Sequence, residues 1–446
     1  MTDRTDFETM LERRLRAYAA GAARPASAPE IARMTMRAAA TPVVRTTSVR
    51  GSRRPVLLIG LAAALLLAAV AGAAFIGGRP PATQGVFVDG PSVTGRQISS
   101  ALALLDGRVL VGVDSEESVI PGTTTLRCTA PCRPHLMLLD PRTGTFTLAA
   151  PPPAPFSVRS MALLHDGRVL IVSGSVDRGE DRSAGIYDPV ADRFDVVDRP
   201  LRARTWPYLV TLADGRVLVG GGETKPPLAT AELFDPTTGT FSRTGEMGRP
   251  RTAGVSATLL PDGRVFVLGG GAGVGTTAEL YDPVTGTFAI TGPGPTTVSR
   301  DGFFSATLLR DGRLLIAGGL IPAEAGPPGL PDRTATAEIY DPATGAFSAV
   351  GRMAAPRYSH AASILPDGTV LVVGGAHELP PSRLPTAASD AEIFDPATGT
   401  FRMTGSLLRP RLMPLAVPLD DRVLVLGHLG PFGDEANTSS TTEWFQ

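Results

Sequence analysis

Arginine is the residue with the most chemistry to offer in this chain, and it recurs in step. Arg96, Arg159, Arg204, Arg251, Arg300, Arg357 and Arg411 each stand seven to eleven residues before an Asp that opens a turn, and Arg202, Arg249 and Arg409 stand two residues earlier again. A guanidinium grips carboxylate, phosphate or sulfate in a bidentate fork. Seven of them gathered at one mouth would focus positive potential on an anionic ligand. Glu232, Glu279, Glu338, Glu392 and Glu443 recur in the same step, so the competing reading is that each Arg is taken by a carboxylate and pins the structure. Trp206, Tyr208 and Tyr358 lie in the same segments, as do Phe156, Phe303 and Phe304. Aromatics there either stack on a ligand such as a sugar ring or fill the core. The candidate ligand-binding set is the seven arginines with Trp206, Tyr208 and Tyr358.

Cys128 and Cys132 are the only cysteines, spaced C-x3-C. In an oxidising compartment that spacing reads as a small disulfide loop. With His135 the pair offers three metal ligands, one short of a structural zinc site, so no metal is expected. The five histidines are scattered and read as surface or packing residues. The chain has no G-x-S-x-G elbow, H-E-x-x-H helix or phosphate loop. No catalytic residue and no cofactor is assigned.

Composition narrows the class. The 446 residues are 43% hydrophobic and 19% charged, enough to build a large core. With 50 Gly and 41 Pro, many tight turns are expected and an all-helical fold is not. A net charge of −1 gives no footing for nucleic acid.

The elements that must position these residues come from a repeat. Asp-Gly occurs at Asp106, Asp166, Asp214, Asp262, Asp311 and Asp367, with Asp420-Asp421 in the same place once more, at spacings of 60, 48, 48, 49, 56 and 53 residues. Apolar stretches flank each turn, as in VSATLL (255–260) and RVFVLGG (264–270), which spells a hairpin. A third apolar stretch runs into Asp-Pro, as in AELFDPTTGTF (231–241) and AEIYDPATGAF (337–347), where D-P-x-T-G turns into a fourth strand. Each unit is a four-stranded antiparallel meander that cannot bury both faces alone, so seven copies stack radially into an all-β propeller.

The last unit stops at TTEWFQ (441–446) without a fourth strand, and an orphan strand at 85–88 precedes the first. That strand is expected to complete the seventh blade and remove the sheet edges. In a meander the Asp-Gly and D-P-x-T-G turns share one face. The other face carries the connections between blades and the variable loops 114–135, 175–183, 223–230, 271–277, 320–336, 376–390 and 428–440, and binding is expected there.

These residues resemble the Kelch repeat family. The likeness rests on Gly221-Gly222, Gly269-Gly270, Gly318-Gly319 and Gly374-Gly375 after the second strands, on the Tyr/Phe-Asp-Pro turns, and on the Arg before each first strand. It covers residues 85–446. Unit one has Val113-Asp114 in place of the doublet, and six phenylalanines (Phe146, Phe194, Phe241, Phe288, Phe347, Phe401) stand where the family usually has Trp. The resemblance extends to the propeller of galactose oxidase. That likeness implies copper radical chemistry needing two His, an axial Tyr and a Tyr cross-linked to Cys; Tyr358, His360, His377 and His428 are the residues nearest to such a set.

Ahead of the propeller, residues 55–77 contain a 22-residue apolar run, Pro55 to Ile76, long enough to cross roughly 30 Å of hydrocarbon as a helix. A cleaved signal peptide is the alternative, with Ala71 and Ala73 forming A-x-A. Residues 1–54 carry eleven Arg against five Asp or Glu, so this tail is expected on the cytoplasmic side and the remainder outside. Phe7, Met10, Leu11, Leu15 and Tyr18 make an apolar stripe within residues 5–20, either a helix on the membrane or a docking site for a cytoplasmic partner. Residues 78–84 are a linker.

The expected protein is a single-pass plasma-membrane protein with an extracytoplasmic propeller. Its expected role is non-catalytic binding of an envelope protein or a surface polysaccharide. The competing class is an extracytoplasmic carbohydrate-active enzyme, galactose-oxidase-like or glycosidase-like, using the same loop face.

Overall fold

A computed structural model describes residues 85–446, apart from 94–96, 115–116, 120–125, 129–134, 154–155, 157, 159, 176–180, 223–227, 253, 271–276, 292–299, 301, 322–331, 378–385 and 430–439. The expected tail (1–54), membrane span (55–77) and linker (78–84) lie outside the described residues, as do Arg96, Arg159 and Cys132. Among the described residues no helix is long and apolar enough to cross a membrane.

Seven four-stranded antiparallel sheets follow one another along the chain. Blade 3 is typical: Tyr208–Thr211, Val217–Gly220, Thr230–Asp235 and Thr240–Glu246 pair in sequence order. The first strands of the seven blades touch one another in a closed cycle, from Gln97–Ala103 of blade 1 round to Arg411–Pro418 of blade 7 and back. They therefore surround the axis. The second strands are buried on both faces, as at Val265–Leu268, which is why they read as unbroken apolar runs.

The repeat motifs are local solutions to turn geometry. In each Asp-Gly hairpin a three-residue loop places Gly at positive φ, 84° at Gly107 and 89° at Gly215, the conformation that glycine adopts at least cost. The Asp carboxylate accepts the N–H two residues on, as from Arg108 to Asp106 at 2.9 Å. In D-P-x-T-G the Asp caps the turn in the same way, from Thr237 to Asp235 at 2.8 Å. The phenylalanines that stand in place of Trp pack on the ring of the Asp-Pro motif, with centroids 4.8 Å apart for Phe234 with Phe241 and for Tyr281 with Phe288.

The core lies between blades. Val210, Leu218 and Leu233 of blade 3 share one cluster with Val265, Val267 and Tyr281 of blade 4. Turn arginines add clasps across the seams: Arg216 donates to the Pro283 carbonyl at 3.3 Å, and Arg422 to that of Pro141 at 3.0 Å.

The ring closes as expected. The N-terminal strand pairs antiparallel with Ser440–Phe445, Phe87 opposite Phe445 and Val88 opposite Trp444, and completes blade 7. It runs from Phe87 to Val93, longer than the expected 85–88, because a register shift between Asp89 and Ser92 carries the ladder past Gly90-Pro91. Val109, Val111 and Leu139 of blade 1 then pack against Val417, Leu424 and Trp444 of blade 7.

Candidate functional site: the collar around the axis

The arginines expected to bind ligand are buried instead. Arg251, Arg300, Arg357 and Arg411 have no exposed surface and Arg204 keeps 1%. Each pairs with the third-strand Glu of its own blade: Arg251 reaches Glu279 at 2.6 Å, Arg357 reaches Glu392 at 2.7 Å and Arg411 reaches Glu443 at 2.9 Å. Arg204 and Arg300 hold Glu232 and Glu338 at 3.3 Å and 3.7 Å. Each guanidinium also donates to a glycine carbonyl, just past the second strand at Gly221, Gly269, Gly318 and Gly374 and within it at Gly427. The second oxygen of the Glu caps the incoming connection, as from Gly248 N–H to Glu279 at 2.6 Å. This is the pinning arrangement, and it leaves these five no face for a ligand. Burial pulls the Arg300 guanidinium down to about 10 despite Glu338 beside it.

Two of the three expected aromatics are also inside. Tyr208 and Tyr358 are buried, the Tyr208 hydroxyl lying 3.6 Å from the Met247 sulfur. Burial pushes both phenols upward. Cys128 ends a short strand, Leu126–Cys128, paired with Glu117–Val119.

What reaches the surface is a ring of residues two or three places beyond each Arg, where the connection turns into the first strand. Trp206, Phe303, Ser359 and Met413 occupy it in blades 3, 5, 6 and 7, with Gly254 in blade 4. All five have positive φ: 57°, 57°, 52°, 52° and 76°. For bulky side chains that region is a rare exception costing of order 1–2 kcal/mol. In blades 5 to 7 backbone hydrogen bonds hold it by linking one position to the next, from Ser359 N–H to the Phe303 carbonyl (2.8 Å) and from Met413 N–H to the Ser359 carbonyl (3.0 Å). A side chain at Gly254 would collide with Gly302 and Phe303 at 3.0 Å.

The result is a mostly apolar collar around the axis in blades 3 to 7, at the start of the first strands and on the face of the variable loops. Trp206, Phe303 and Met413 keep 44%, 36% and 44% of their surface exposed, whereas the second strands beside them are buried on both faces, as at Val265–Leu268. Strain held at exposed, non-core positions is a mark of function. Sequence reasoning placed Trp206 and Phe303 in the right segments but could not separate them from their buried neighbours, and it missed Ser359 and Met413.

His360 and His377 take structural posts. His360 is buried between blades 5 and 6, with Nε2 at 2.9 Å from the Ser305 hydroxyl. Burial, with Arg357 and Arg300 nearby, depresses it to about 3, so the ring is neutral. His377 is half-buried, with Nδ1 at 3.0 Å from the Pro356 carbonyl and Nε2 on the Asp390 carboxylate.

No family model matches this chain, and no curated protein matches it. Among solved structures it is similar to a fungal alcohol oxidase of the AA5 family in complex with copper. The two share 19% identity over 81% of this chain and 76% of that one, with a TM-score of 0.61. The shared feature is the seven-bladed β-propeller. Copper in a protein needs imidazole, thiolate or phenolate donors converging on one point. Here the collar carries Trp, Gly, Phe, Ser and Met, and the rings of His360 and His377 are engaged elsewhere. Among the described residues no three His, Cys, Asp or Glu side chains converge. The described donor set does not fit a resident copper ion.

Proposed function

We propose that the loop face of this propeller binds a carbohydrate, seated on the collar of Trp206, Phe303 and Met413. The observation that carries the proposal is the exposure of two aromatic rings held at strained φ around one axis. Flat aromatic faces stack on the apolar faces of pyranose rings. The first reading is the non-catalytic one: a Kelch-type propeller held outside the plasma membrane by the apolar run 55–77, closed locally by a Cys128–Cys132 disulfide, and presented to surface polysaccharide or an envelope protein. Support comes from the apolar span, the arginine-rich tail and the Gly-Gly and Asp-Pro motifs.

A second reading makes the bound carbohydrate a substrate. The scaffold shared with a copper alcohol oxidase speaks for it more directly than for the first, and the described donor set speaks against it. One experiment separates the two. The full-length chain is screened against a polysaccharide and oligosaccharide panel, with and without added Cu(II), for binding and for aldehyde and peroxide formation. Binding that W206A and F303A abolish, with no product formed, supports the module; copper-dependent product establishes the enzyme. Neither binding nor product with any saccharide overturns both.

A further inference from the structure

Blade 6 departs from the repeat beside the collar. Thr230, Thr277, Thr336 and Thr441 stand two residues before the buried Glu in blades 3, 4, 5 and 7; blade 6 has Asp390 there, and it brings His377 against it. Both ring nitrogens of His377 face acceptors, the Pro356 carbonyl through Nδ1 and the Asp390 carboxylate through Nε2. A neutral imidazole has one N–H and satisfies only one of them. The geometry therefore calls for the imidazolium.

This pair ties the two ends of one loop, and each end is bridged to a collar-bearing segment. Ala376 pairs with Tyr358, the neighbour of Ser359; Ala388 pairs with Arg411, two residues before Met413; and Ala376 pairs with Ala387 between them. The amides of Ala376 and Ala388 donate to Tyr358 and Gly375 at 3.0 Å and 2.8 Å, and Arg411 N–H donates to Ala388 at 3.0 Å. A short ladder thus runs from the blade 6 collar position to that of blade 7, and the His377–Asp390 contact closes it on the solvent side.

We infer that His377 is a proton-operated latch that holds the Ser359 and Met413 side of the collar in place. Among the described residues the other charged or titratable groups around the pair are Arg357, which donates to Asp390 at 2.5 Å and to Glu392 at 2.7 Å, and the buried neutral His360. With His377 charged, Arg357 and His377 balance Asp390 and Glu392. Without that proton the cluster carries an excess carboxylate in a half-buried site, and the bond to Asp390 or that to Pro356 is lost. The hydrogen bond to Asp390 raises the His377 titration above its ordinary value, although burial works against it. Burial likewise opposes ionisation of Asp390, but His377 and Arg357 outweigh it and hold that carboxyl at about 2.

Only the consequence for ligand affinity rests on the binding reading above. The test is done on the full-length chain without ligand. Histidine-selective 15N NMR, with H377Q identifying the signal, is expected to show His377 titrating above 6.5 and D390N lowering that titration. Hydrogen exchange at Ala376 and Ala388, corrected for the intrinsic pH effect, is expected to accelerate about tenfold for each unit of His377 titration relieved. In H377Q it is expected to be fast and flat. An imidazole neutral at pH 6, or exchange indifferent to its protonation, overturns the latch even if the collar binds saccharide. An intact latch over a collar that binds nothing overturns only the binding reading. Where saccharide binds, its affinity is expected to fall over the same pH range in the wild type and not in H377Q.

Discussion

Arg251 and Glu279 meet with no exposed guanidinium surface, 2.6 Å apart, while the second Glu279 oxygen takes the Gly248 amide at 2.6 Å. One carboxylate thereby joins the inner end of its blade to the connection arriving from the blade before. The pair is a joint. Arg251→Ala strands a buried carboxylate, a loss of about 3–5 kcal/mol. Urea denaturation is expected to show that loss, whereas R251M/E279L is expected to recover most of it. Ligand affinity of the folded fraction is expected to hold in both variants.

Phe303 sits at positive φ with about a third of its surface, 36%, exposed. Asn tolerates that conformation better than Phe. F303N is therefore expected to leave stability equal or raise it by about 1 kcal/mol, while carbohydrate affinity falls at least tenfold. Denaturation curves read beside affinity electrophoresis check both halves, and a variant that loses stability and keeps affinity would remove Phe303 from the site.

Phe87 and Phe445 close the ring with centroids 4.9 Å apart. Phe445→Ala is expected to cost about 3–5 kcal/mol, although the position lies on an outer strand pair. Thermal unfolding followed by near-ultraviolet circular dichroism measures it.

His360 is neutral in the folded chain because burial depresses it to about 3. The unfolded chain takes up the proton near 6.5, so it binds more protons than the folded one between these limits, and stability falls as pH drops through them. The slope approaches about 1.4 kcal/mol per pH unit for this one group. The difference in denaturation midpoint between wild type and H360Q, followed from pH 7 to pH 4, is expected to carry that slope; a constant difference would mean His360 is charged when folded.

The blades were legible because their signals are local. Asp-Gly, Asp-Pro and the glycine doublets each solve a turn within five residues, and the motif repeats often enough to give the count and the closure by the N-terminal strand. The pairing of Arg251 with Glu279 was half legible, as two residue types recurring in step. The collar was not. Trp206 and Tyr208 are two residues apart, yet Trp206 keeps 44% of its surface exposed and Tyr208 is buried, because the positive φ at Trp206 turns the chain between them. His377 and Asp390 likewise meet through a bridge between Ala376 and Ala387 that no spacing announces. The register shift that extends the closing strand to Val93 lies across Gly90-Pro91, a sequence that reads as a stop.

The closing strand also fixes the order of events during synthesis. Val109, Val111 and Leu139 are among the first propeller residues made, and their partners Val417, Leu424 and Trp444 are among the last. Until Phe445 emerges, six blades form an open arc whose two end faces, on blade 1 and on blade 6, still lack their partners in blade 7, and the Phe87–Val93 strand has no sheet to join. A growing chain in that state needs either speed or a chaperone.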